Sequence, residues 1–264
     1  MAVRILRKTK DQWQPGTYPN GTYRLLALVC IPPVDLLNLL AMKVLRNLIP
    51  IVLILVISLS LRPVRDWLGN IFPKKIEKRS LALQPYGNFV PEWSAEIKRS
   101  LEATYPMKFH LLESRDLPET AFVNIKSPRY RADSLLMDLA RIKTDTLDHI
   151  LGLCTQDIST TKRDRNGAVK KPESRYIDWG IFGLGQRPGV AAIVSSFRLM
   201  RPPKELFLDR LKKVSIHEVG HNLGLKHCVE LGCVMADAAE SLSTVDQVGF
   251  ELCKKCKHEI GLKD

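Results

Sequence analysis

The stretch His217–Met235, HEVGHNLGLKHCVELGCVM, places three His, two Glu, two Cys and a Met within nineteen residues and restricts the fold more tightly than any other segment. Upstream of it, Leu206, Phe207, Leu211, Val214 and His217 recur at helical spacing, behind a Pro203 suited to a first helical turn. A helix is therefore predicted from near Pro203 to Gly224. On that helix His217 and His221, four residues apart, project from one face. Glu218 lies beside them, suited to take a proton from a zinc-bound water rather than to ligate. Gly224 can end the helix, because Gly enters the left-handed conformation at little cost. The chain can then turn back and deliver His227 as a third ligand. Three protein ligands leave one position for water or substrate, as a catalytic zinc requires. Chance histidines on a buried helix would account for the first pair, but less well for Gly224 and His227 in register with it.

The cysteines form a second group. Cys228 follows the third His, Cys233 lies five further on, and Cys253 and Cys256 make a C-x-x-C pair. Thr244 with Gln247 fits a capping box, so a helix is predicted to start there and to carry Cys253 and Cys256 on one face. Four thiolates around one ion make a closed structural zinc site. Lys254, Lys255 and Lys257 would offset part of its negative charge. Two disulfides or free buried thiols are the alternatives. Cys30 and Cys154 read as plain buried thiols, and His110, His149 and His258 as structural or exposed.

Between residues 80 and 203 the pattern alternates strand and helix. LALQPYG suggests a strand; Trp93, Ile97 and Leu101 one helix face; KFHLLE (Lys108–Glu113) a second strand; Leu135, Leu136, Leu139 and Ile142 a second helix; HILGLCT a buried strand. Residues 158–178 read as a charged surface loop. Its basic residues (Lys162, Arg163, Arg165, Lys170, Lys171, Arg175) are a solvated face or a rim that attracts acidic substrates. WGIFGLG and VAAIVSSF read as further strands, and Val190–Ser196 as an edge able to pair with an extended peptide.

The 264 residues carry a net charge of +12, most of it N-terminal: residues 1–80 hold 13 Lys/Arg against 4 Asp/Glu, residues 81–264 hold 27 against 24. A nucleic-acid-binding domain would carry its own basic surface, so no nucleic-acid partner is expected. Asn47–Leu61 is an uncharged apolar run of fifteen residues behind Lys43 and Arg46. Its length suits a signal peptide better than a full membrane span. The expected organisation is a poorly ordered or non-native extension (1–41), a signal peptide or membrane anchor (42–61, with Met42 a candidate start), a basic linker (62–79) and a folded domain (80–264). Membrane contact through 47–61 is expected, with the protein membrane-associated or exported, or alternatively cytoplasmic.

The His-Glu-x-x-His-x-x-Gly-x-x-His pattern is that of metzincin peptidases. With the signature HEVGHNLGLKHCVELGCVM, seventeen further residues and then CKKC, the sequence resembles the archaemetzincin family at every defined position. The resemblance covers roughly residues 80–264. LQPYG resembles its first strand, RYRADSLLMDL its first helix region, and FGLG and GVAAIVSSFRL its glycine-containing and sheet-edge strands. Cys154 and an expanded 161–175 segment depart from it. The resemblance implies a catalytic zinc on His217, His221 and His227 with Glu218 as base, and a structural zinc on Cys228, Cys233, Cys253 and Cys256. It also makes Met235 the Met-turn residue beneath the catalytic zinc; otherwise Met235 is an ordinary core methionine. The expected fold is α/β (α+β type), a metzincin-like mixed twisted sheet with an active-site helix, plus the N-terminal apolar segment. The expected function is zinc-dependent hydrolysis of peptide or protein substrates, with two zinc ions per chain. The rival is a catalytically silent zinc-binding interaction module anchored at a membrane.

Overall fold

The computed structural model describes residues 44–45, 47–50, 75–237 and 241–262. The first two stretches are helical and exposed and belong to a unit of their own, residues 1–68. Most of the apolar run 47–61, the basic linker up to residue 74 and Cys30 lie outside the described residues, among which no helix is long and apolar enough to cross a membrane.

The second unit is built on a five-stranded sheet. Its strands are β1 (Ser80–Pro85), β2 (Lys108–Leu111), β5 (His149–Cys154), β8 (Gly183–Gly185) and β9 (Ala191–Ser195), in the order β2-β1-β5-β9-β8. The first four run parallel; β8 alone is antiparallel, paired to β9 with Leu184 opposite Ile193. Strands covered on both faces read as continuous apolar runs, and β1, β5 and β9 are buried along their whole length. Their side chains alternate between two cores. Leu81, Leu83, Leu151, Leu153, Ala192 and Val194 face helices α1 (Pro91–Thr104) and α4 (Phe207–Asn222). Ala82, Ile150, Cys154, Ala191 and Ile193 face α2 (Ala132–Ile142).

A smaller sheet, β3 (Phe122–Asn124), β4 (Pro128–Arg131), β6 (Ile158–Thr160) and β7 (Trp179–Ile181), lies in the order β3-β4-β6-β7. The 158–178 segment is therefore not all loop: it opens with β6, buried at Ile158 and Ser159, and contains a one-turn helix α3 (Glu173–Tyr176). WGIFGLG is two strands, β7 in the small sheet and β8 in the large one. An ionic cluster fixes this junction. Asp157 takes Arg198 Nε at 2.6 Å and Nη2 at 2.8 Å, and Arg129 Nε at 2.8 Å, while Arg129 also reaches Asp178 at 3.1 Å.

The sheet order corrects one expectation. The edge next to α4 is β8, not β9, because the chain folds back after β7 and covers the free side of β9. The C-terminal helices also differ from expectation. Helix α5 (Leu242–Gln247) begins one turn earlier than the Thr244 capping box implied, with the Ser241 hydroxyl accepting from Ser243 N–H. A separate helix, α6 (Lys254–Glu259), starts from Cys253 as its N-cap.

Candidate active site

Helix α4 carries the first two histidines. Both are largely buried, and desolvation holds their imidazoles neutral: His217 is pushed down to about 3, first by desolvation and then by the neighbouring His221, and His221 is lowered for the same first reason. Each ring is oriented through one nitrogen. His217 Nδ1 bonds the Val234 carbonyl at 2.9 Å and His221 Nδ1 the Leu225 carbonyl at 2.8 Å. Carbonyl partners require N–H on Nδ1, which leaves each Nε2 with a free lone pair. The helix stops at Asn222, Gly224 adopts φ +106°, and the chain turns back to bring in His227, whose Nδ1 lies 3.4 Å from Asp237 Oδ2. Ligating atoms of the three rings lie within 4.8 Å of one another. With Zn–N bonds of about 2.1 Å, three imidazoles so grouped and so oriented fit one zinc ion.

Glu218 is buried beneath β8. In the antiparallel pairing with β9, Ser195 N–H bonds the Phe182 carbonyl and Gln186 N–H bonds the Ala191 carbonyl. The alternation of such ladders turns the polar groups of Phe182, Leu184 and Gln186 toward β9, and those of Gly183 and Gly185 toward the free edge. There the Gly185 N–H bonds the Glu218 carboxylate. Both glycines also face α4: a Cβ on Gly183 would lie 2.8 Å from Glu218 Cγ and Oε1, and one on Gly185 2.6 Å from the Glu218 carbonyl oxygen. In the protein alone burial pushes the Glu218 carboxyl up to about 8, the Gly185 N–H opposing it. A cation held by the histidines would draw it down again.

Met235 is fully buried, against Gly220 between the two helical histidines; a Cβ at Gly220 would overlap its Sδ. Its carbonyl accepts from Cys228 N–H at 2.8 Å, so the Met235 segment ties the histidine site to the cysteine site. Cys228 Sγ and Cys253 Sγ are 3.7 Å apart, and Cys233 Sγ and Cys256 Sγ 3.9 Å. All four are free thiols, within 4.8 Å of one another. These separations are too long for a disulfide and match the edge of about 3.8 Å expected for a tetrahedron with Zn–S bonds of about 2.3 Å.

The chain belongs to peptidase family M54, the archaemetzincins. The model of Peptidase family M54 matches residues 110–262. Archaemetzincin of Methanopyrus kandleri is 34% identical over 140 residues, 53% of this chain and 70% of that protein. Archaemetzincin of Saccharolobus solfataricus is 34% identical over 157 residues, 57% of this chain and 75% of its own length. The crystal structure of the Methanopyrus kandleri archaemetzincin superposes with a TM-score of 0.57 at 28% identity, covering 71% of this chain and 96% of that one. This archaemetzincin is accordingly a zinc metallopeptidase acting on peptide substrates.

Some of the archaemetzincin site was missed by the sequence reading. Asn222 Nδ2 donates to the Gln186 and Ala191 carbonyls at 3.0 and 2.8 Å, pinning the β8–β9 hairpin to the end of α4. Tyr105 Oη, fully buried, donates to the Ile216 carbonyl at 2.8 Å one residue before His217. The asparagine sits inside the quoted signature; nothing local marks the tyrosine. Of the other expected residues, His149 is buried on β5 with Nδ1 3.0 Å from the Gly189 carbonyl, Cys154 is buried, and His110 and His258 are exposed.

Proposed function

We propose that His217, His221 and His227 hold the catalytic zinc and that Glu218 is the general base, with a second zinc on Cys228, Cys233, Cys253 and Cys256. The observation that carries this reading is the carboxylate of Glu218, buried next to three convergent imidazoles and bonded by the free-edge N–H of β8. Zinc bound there supplies Lewis acidity, polarising a carbonyl and lowering the pKa of a water toward about 7. The residues of the chain do the rest. An extended peptide pairs with the exposed N–H and C=O of Gly183, which sets its carbonyl over the histidines. Glu218 accepts the proton of the attacking water, and the resulting carboxylic acid passes it to the leaving amine. Burial of Glu218 favours the protonated form needed in the second half, and the Gly185 N–H steers its oxygens. Met235 supports the helix from below. Closing the second site joins the Cys228–Cys233 loop to α6 and so fixes the Val234 carbonyl that orients His217.

The uncharged run 47–61 supports membrane association or export of the domain that follows it, which fractionation of cells expressing the native gene tests. The catalytic reading is tested with Glu218→Gln. It should bind zinc at the wild-type ratio and lose cleavage of a diverse peptide library by about 10²–10⁴-fold. Unchanged cleavage would remove Glu218 from the mechanism.

A further inference from the structure

The cleft over α4 and β8, about 380 Å³, is unevenly charged. Among the described residues, and apart from the three histidines, its ionisable lining consists of Lys162, Arg187, Lys213 and Glu218. Glu218 is 7% exposed and sunk behind the two glycines. Three of these four side chains are basic, and Arg187 is the exposed one among them.

The cations are spread along the edge strand. Lys162 follows β6, its Nζ 4.4 Å from the centre of the Trp179 ring at the start of β7. Arg187 comes two residues after β8 ends; it is exposed, and no ion pair among the described residues involves it. Its hairpin is held in place by the Asn222 bonds. Lys213, one turn before His217, donates to the Val245 and Asp246 carbonyls at 3.2 Å each, so its ammonium is anchored by neutral groups. At about 3.3 Å per residue, the strand from Phe182 to Arg187 spans about five residues of a paired peptide, enough to cover positions on both sides of the bond over the histidines.

We propose that this cleft selects extended peptides carrying Asp or Glu close to the cleaved bond, with Arg187 the principal specificity-determining residue. The inference rests on the peptidase reading of the same cleft. A cation at the end of a backbone-binding edge attracts a chain with a carboxylate beside the cleaved bond and repels a basic one, while β8 itself reads no side chain. The apolar floor, Val214, Val245 and Val248, takes an uncharged side chain. Carboxylates are thus favoured beside the central residue rather than at it.

The test uses two pools of internally quenched peptides with a randomised apolar pair at the centre. One pool has Asp and Glu at the three positions on each side, the other Asn and Gln. Wild-type protein should cleave the acidic pool with a kcat/KM about tenfold higher, about one charge-assisted contact. The ratio should shrink in high salt, approach one in Arg187→Gln and fall below one in Arg187→Glu. A wild-type ratio near one, or a ratio that Arg187→Glu leaves unmoved while both pools are cut, overturns the charge inference and leaves the peptidase reading standing. If wild type cuts neither pool, the peptidase reading fails. The charge inference is then judged by fluorescence anisotropy of labelled acidic and neutral peptides on Glu218→Gln. Tighter acidic binding that Arg187→Glu abolishes supports it; equal affinities, or no binding of either, overturn it.

Discussion

Gly183 on the edge strand faces Glu218 on the active-site helix so closely that a single methyl group between them would lie 2.8 Å from the carboxylate Oε1. The proposed general base and the proposed peptide-binding strand therefore share one packing constraint. Either strand or carboxylate must shift if that space is filled.

Gly183→Ala is accordingly expected to lower kcat by about 10- to 100-fold, because misplacing a reacting group by about 1 Å costs on that order. Zinc content and the circular dichroism spectrum should stay at wild-type values, since the strand remains paired to β9. Peptide cleavage alongside elemental analysis checks it; wild-type kcat in the alanine variant would mean that the strand and Glu218 move independently.

The residues of this candidate site could be singled out in the sequence because they are local. His217, Glu218 and His221 are placed by one helix, Gly224 turns the chain, and His227 follows three residues later. The buried strands β1, β5 and β9 were legible for the same reason, as short apolar runs. What could not be read was anything set by pairing across the sheet. Whether β9 or β8 forms the edge depends on a fold-back after β7 that apolar periodicity does not encode, and WGIFGLG gives no sign that its halves enter different sheets. The facing of Gly183 and Gly185 toward Glu218 is likewise a matter of register. Arg210 is the sharpest case. Helical spacing marks it as a core position, and its charge argues for the surface, yet it is 1% exposed. The conflict resolves only through Asp246, thirty-six residues away.

That pair yields a stability prediction. Asp246 accepts from Arg210 Nε at 2.6 Å and Nη2 at 2.7 Å, and the guanidinium holds its carboxyl below the usual range. Asp246→Ala leaves a buried guanidinium unpaired and should cost about 3 kcal/mol. The pair joins α4 to α5, so α5 should loosen first. Denaturant unfolding with hydrogen exchange over residues 242–247 would measure both effects; a loss below about 1 kcal/mol would show that the carbonyls of Leu199 and Pro203 suffice for Arg210.

His149 gives a pH dependence. Burial at the start of β5 lowers its pKa from the ordinary 6.5 to about 4, with the positive Arg79 contributing. Between those values the unfolded chain binds a proton that the folded one does not. The stability is therefore complete above about pH 6.5 and is lost as pH falls toward 4, by roughly 2 kcal/mol at about pH 5. Urea titrations of the wild type and His149→Gln should show the variant less stable at neutral pH but with a flatter slope between about pH 7 and 5. Parallel slopes would show that His149 keeps its ordinary pKa in the fold.

The two metal positions should differ in lability. The histidine site is open at one side: His227 is exposed, with Asp237 Oδ2 3.4 Å from its Nδ1. The cysteine site is closed by four sulfurs, two of them also accepting backbone N–H groups, from Glu230 to Cys228 and from Cys253 to Cys233, at 3.4 Å each. A competing chelator should remove one zinc first, abolishing cleavage while the protein stays folded. Removing the second should unfold the segment from Cys228 to the C-terminal helix, because the ion replaces the covalent links that this lobe lacks. As that lobe melts, the Val234 carbonyl no longer orients His217, so zinc returned only to the histidines should bind more weakly than in the intact protein. Chelator titration followed by elemental analysis, activity and hydrogen exchange reads each stage. A single zinc per chain at the outset, or a C-terminal lobe that stays protected after both ions leave, would contradict this order.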